Sequence, residues 1–169
     1  MDNTPDSGRA TVRHLVATLA YRSSKVLRDV PPGFAEFSAG PTMRLPVQIV
    51  AHMADLMGWA VRMVESEYLW RAEGSSDWDT EVRRYFDGLA ALDRFLASDT
   101  PLANPPEILI QGPLADALTH TGQLAMLRGA FGAPVRPESY ARAEIVPGRV
   151  GPEQAAPGRE FDGDASARK

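Results

Sequence analysis

Hydrophobic positions recur at three- and four-residue intervals in four stretches of the chain, and prolines crowd the joints between them. From about Arg9 to Arg28, the residues Val12, Leu15, Val16, Leu19, Val26 and Leu27 mark one face of a helix. A second stripe of Val50, Met53, Met57, Ala60, Val61 and Val64 begins after Pro46, a residue suited to a first helical turn, and is expected to run towards Trp70. The third stretch opens at Ser76-Asp77-Trp78-Asp79, a capping-box-like start, and carries Val82, Tyr85, Phe86, Leu89, Leu92, Phe95 and Leu96. The fourth holds Leu114, Ala117, Leu118, Thr121, Leu124, Ala125 and Phe131, with Gly132-Ala133-Pro134 as its stop. Ile108 to Ile110 read as an earlier turn of this helix, kinked at Gly112-Pro113.

Four helices of about 20 residues, each about 30 Å long, have the dimensions of a four-helix bundle. Strand signals are confined to a short piece around Ala143 to Val146, so the fold class is all-α. The connection from about Val30 to Pro46 is too long for a tight hairpin and is expected to cross over one end of the bundle. After Pro134 the composition turns to Pro, Gly, Arg and Glu. The expected organisation is a bundle over residues 1–135 and an irregular C-terminal extension over 136–169, laid on the bundle to about Gln154 and loosely held beyond it.

Composition narrows the function more than it changes the fold. Of 169 residues, 44% are hydrophobic and 24% charged, enough for one sizeable core. Eighteen basic against 22 acidic side chains leave a net charge of -4, which argues against a nucleic-acid partner. The absence of cysteine excludes disulfides, thiolate metal sites and a thiol nucleophile of the protein's own. No apolar run is long enough to span a membrane, and the N-terminus lacks the pattern of a secretory signal, so the expected location is the cytoplasm.

The signatures G-x-S-x-G, G-x-G-x-x-G, H-E-x-x-H and the phosphate-binding glycine loop are all missing. Three histidines remain. His14 reads as a surface bystander on the first helix, whereas His52 and His120 share stripes with apolar residues of the second and fourth. Asp116 and His120, four residues apart, project from one helix face. Two imidazoles and a carboxylate from two helices make a three-donor site for zinc, nickel, iron or manganese with positions left open. The same residues also read as a hydrogen-bonded Asp116–His120 pair with His52 unrelated. Asp55, one turn from His52, is a candidate to steady that imidazole or act as a base, with plain solvation or pairing as its alternative, and Gln123 is a candidate to hydrogen-bond His120. Trp59 and Arg128 are candidate substrate contacts, with packing and surface charge as their alternatives. Arg22, Lys25 and Arg28 form a basic face able to meet an anion.

The stretch Leu45-Pro46-Val47-Gln48-Ile49-Val50-Ala51-His52-Met53-Ala54-Asp55 resembles the second-helix histidine motif of the DinB/YfiT-like superfamily, and residues 112–128, with His120-Thr121-Gly122-Gln123-Leu124, resemble its last-helix motif. The resemblance covers roughly residues 9–135. It implies a four-helix bundle of DinB/YfiT type with a long crossover and a metal centre near one end, held by His52, Asp116 and His120. Asp116 departs from the family pattern, which has histidine there; a carboxylate is a harder, anionic donor and lowers the positive charge of the site.

Some members of that superfamily are transferases or isomerases that use a low-molecular-weight thiol. The resemblance therefore implies a metal-dependent protein acting on a small-molecule substrate, with an external thiol cofactor where thiol chemistry is used. The contrasting expectations are a metal-dependent hydrolase and a non-catalytic homodimer that binds a small molecule.

Overall fold

The computed structural model describes residues 7–161. They form helices α1 (Ser7–Leu27), α2 (Pro46–Val64), α3 (Trp78–Ala97), α4 (Pro106–Leu109) and α5 (Ala115–Ala130), and no strand is present among them. Helix α3 is capped by Asp77, whose carboxylate accepts the Thr80 N–H at 2.8 Å. A π-helical segment, Ile110–Leu114, joins α4 to α5, and Gly112 breaks the helical path there at φ -95°, ψ -107°. The expected kink at Gly112-Pro113 is present, and 106–130 is one bent rod.

Helix α1 packs on α3 and α5, and so does α2, while α1 and α2 scarcely touch. Consecutive helices α1 and α2 thus lie diagonally across the bundle. The connection 28–45 spans that diagonal, as its length requires, and drops the fully buried Phe34 into the core. Helices α2 and α3 pack closely where Gly88 faces Met57, so tightly that a Cβ would lie 2.6 Å from the methionine Cβ. Val12, Val16, Leu19, Met53, Met57, Tyr85, Leu89, Leu92, Leu114 and Leu124 fill the interior.

Three expectations need correction. Helix α2 stops at Val64 rather than approaching Trp70: Ser66 takes φ 91°, and the Glu67 N–H closes back on the Arg62 carbonyl at 2.8 Å. The chain therefore turns back, and Trp70 comes to rest against α2. The segment Ala143 to Val146 forms no strand; the sole pairing of that kind among the described residues is an isolated bridge between Glu138 and Glu160. The basic face of α1 is not free to meet an anion, because Lys25 is buried and held by Glu138 at 2.8 Å and Glu160 at 2.7 Å, and Arg22 lies over the Tyr140 ring. The C-terminal extension is thus ion-paired to α1 as far as Glu160, beyond Gln154; the rest of the expected loose tail, 162–169, lies outside the described residues. No helix among the described residues is long and apolar enough to cross a membrane.

Candidate metal centre

Because α2 and α5 are neighbours along one side of the bundle, residues 64 positions apart in sequence face each other there. His52 comes from the middle of α2, and Asp116 and His120 from successive turns of α5. His52 Nε2 lies 3.3 Å from Asp116 Oδ2, and His120 Nε2 lies 3.3 Å from Asp116 Oδ1. The two imidazoles stand perpendicular with centroids 4.9 Å apart. One donor atom from each residue falls within 4.8 Å of the other two. The two 3.3 Å approaches use different oxygens of Asp116, so the carboxylate bridges the two imidazoles rather than presenting one oxygen to both.

Gln123 completes the arrangement expected of it. Its Oε1 lies 2.7 Å from His120 Nδ1, so that nitrogen carries the proton and donates it. With Nδ1 engaged by Gln123, Nε2 is the His120 nitrogen turned towards Asp116 Oδ1. At His52, burial is the largest influence on the ring; against the opposing hydrogen bond that Asp116 accepts, and with His120 and Arg44 adding to it, the pKa falls below the ordinary histidine value. His52 is therefore neutral at pH 7, the protonation state in which imidazole is a ligand.

An open cleft of about 520 Å³ lies over these donors, bounded by Met43, Arg44, Ile49, Met126 and Leu127 as well as by Gln123. That volume is in the range of small-molecule sites. A second cleft of about 470 Å³ adjoins it at Arg44 and His52 and runs past Gln48 towards Gly74 and Ser75.

Asp55 is paired, as its alternative reading has it, and does not steady His52. Its carboxylate accepts from Arg84 at 2.7 Å and from the Glu73 N–H at 3.1 Å, so it anchors the loop 65–77 instead of the His52 ring. Glu81 belongs to the same network, accepting from the Ser75 N–H at 2.6 Å and from Arg84. Burial opposes the charge on Glu81, but the Ser75 and Arg84 contacts outweigh it and hold the carboxyl below the usual range. The loop so fixed sets Trp70 beside His52, with ring centroids 5.5 Å apart.

Trp59 does not border either cleft; it packs on Tyr68, Trp70 and the backbone at Gly112, and its buried Nε1 has no hydrogen-bond partner among the described residues. Arg128 is also structural. Its guanidinium donates to the carbonyls of Val26 in the last turn of α1, of Arg28 and Asp29 just beyond it, and of Ala133 past the end of α5, binding two helix C-termini together. His14 is exposed, as expected. Trp70, whose aromatic ring is a candidate pocket wall in the sequence, does stand beside His52, whereas Arg84 and Arg44 were not singled out from the sequence. Arg44 had the one visible signal, being directly before the Leu45-Pro46 start of the histidine helix.

Comparison of the chain with protein-family models, with curated proteins and with solved structures gives no match.

Proposed function

We propose that this chain is a DinB/YfiT-like protein that holds one divalent transition metal between His52, Asp116 and His120 and acts on a small molecule in the cleft above them. The observation that carries the reading is a convergence of donors: one ligand atom from each of His52, Asp116 and His120 lies within 4.8 Å of the other two, beside the cleft. The donor set fits zinc, nickel, iron or manganese, and Asp116 moves its preference towards harder ions than three histidines would.

Transfer or isomerisation dependent on a low-molecular-weight thiol is the leading activity. When bound, the metal supplies a Lewis acid that favours the anionic form of a thiol, and a chain without cysteine needs that sulfur from outside. The chain's own residues do the positioning. Gln123 fixes the His120 tautomer, Asp116 offsets one unit of positive charge, and Trp70 covers one side of the His52 ring.

The test is consumption of glutathione, mycothiol or bacillithiol with a panel of electrophiles, with and without added metal. Metal-dependent turnover that disappears in His120→Ala is expected. Metal binding without turnover on any thiol would remove the transferase reading. A second reading, a non-catalytic homodimer, is favoured by Tyr68, Leu69 and Met126, which stand 65%, 48% and 61% exposed. Sedimentation of the purified protein, metal-loaded and metal-free, tests it.

A further inference from the structure

Arg44 is exposed, and it has no hydrogen-bond or ion-pair partner among the described residues. It is also, with His52, one of two residues that border both clefts. Of the other charged side chains around the two clefts, Asp116 lies between the two imidazoles, and the rest are paired with opposite charge. On the side of the second cleft, Asp55 is neutralised by Arg84, and Arg84 is itself shared between Asp55 and Glu81. The remaining neighbours there, Gln48, Gly74 and Ser75, carry no charge. The first cleft presents a different chemistry: Met43, Ile49, Met126 and Leu127 give it apolar walls above the polar donors.

We propose that Arg44 is an anion-recognition residue, and that the two clefts together take an organic monocarboxylate whose head meets the Arg44 guanidinium while its apolar body lies against Met43, Ile49, Met126 and Leu127. A guanidinium presents paired N–H donors in the plane of a carboxylate, which gives orientation as well as attraction. A single free cation matches one negative charge, whereas a phosphate monoester, with closer to two, calls for more positive partners than the clefts offer. A ligand held this way lies across His52, the other residue common to both clefts. Met43 and Met126, 43% and 61% exposed, are adaptable walls for an apolar chain whose exact shape they do not dictate.

The proposal rests on the cleft as a ligand site but not on the metal, and the experiment keeps the two apart. Octanoate and its neutral counterpart octanamide are titrated into chelator-treated protein, with the fluorescence of Trp70 and Trp59 or the heat of binding as readout. Octanoate is expected to bind about tenfold more tightly than octanamide, and Arg44→Gln to abolish that preference while leaving octanamide binding unchanged. Arg44→Lys, which keeps the charge but not the planar fork, should retain part of it. Since Arg44 has no hydrogen-bond or ion-pair partner among the described residues, both variants should melt with the parent protein. An octanoate preference that survives in Arg44→Gln, or no binding of either probe to the parent protein, would overturn the assignment. Loss of metal binding in other experiments would not touch this result.

Discussion

Gln123 and His120, three residues apart on α5, are joined by a 2.7 Å hydrogen bond between Oε1 and Nδ1. That contact fixes which imidazole nitrogen is free to face Asp116 and, across the interhelical gap, His52. Residues that orient a ligand in this way are typically worth 10- to 100-fold in metal affinity. Gln123→Leu should therefore weaken zinc binding by about 10- to 100-fold, measured by competition with a chromogenic chelator. Gln123 is exposed and on the outer side of the ring, so the melting temperature of the metal-free variant should stay close to that of the parent.

Lys25 makes a separate prediction about the C-terminal extension. Its ammonium is buried between Glu138, which also accepts from the Tyr21 hydroxyl at 2.6 Å, and Glu160. Burial works against its charge, but the two carboxylates more than compensate and raise the pKa above the ordinary lysine range. Lys25→Met leaves a buried carboxylate without its cation and should cost about 3 kcal/mol in denaturant unfolding. The double variant Lys25→Met, Glu138→Gln should recover part of that loss.

The same site gives a pH dependence with two edges. A raised lysine pKa contributes stability that is complete below its unfolded value and lost as pH climbs through the higher folded value. Glu160, whose pKa is lowered chiefly by its hydrogen bond to Lys25, contributes stability present above its unfolded value and lost as pH falls through the lower folded one. Hydrogen exchange at the Ser139 and Phe161 amides, which bond to the Arg159 and Pro137 carbonyls, should accelerate in alkali above the ordinary lysine range and again in acid below the ordinary glutamate range.

Arg84 holds the loop 65–77 in place through Asp55 and Glu81, both of which are buried. Arg84→Ala should destabilise the fold by about 3 kcal/mol, since two carboxylates lose their counter-charge. Because the Ser75 and Glu73 amides bond to those carboxylates, their exchange should rise more than that of core α2 amides. Trp70 should become more exposed at the same time, read as a red shift in its emission.

The helices were legible because burial of one face imposes its period on the sequence, and the Gly112-Pro113 kink because proline cannot continue the backbone ladder. Asp116 and His120 were legible as a local pair at i and i+4. Their meeting with His52 depends on α2 and α5 becoming neighbours, a consequence of the crossover that the resemblance anticipated and periodicity alone does not encode. The end of α2 was misread because Glu65 to Trp70 contains no proline or glycine; Ser66 adopts the left-handed conformation unannounced. Arg128 and Lys25 look like ordinary surface charges in sequence. Their burial is set by partners about 100 residues or more away, the α1 carbonyls for one and Glu138 with Glu160 for the other.

The most direct test of the account is a metal titration of chelator-treated protein, followed calorimetrically with zinc and then with nickel, manganese and iron(II) under anaerobic conditions. One ion per chain is predicted, with binding lost in His52→Ala and in His120→Ala and strongly weakened in Asp116→Asn. Zinc-edge X-ray absorption of the loaded protein should then show a nitrogen and oxygen shell at about 2.0 to 2.2 Å and no sulfur. Failure of every ion to bind, or binding indifferent to the loss of both histidines, would contradict it.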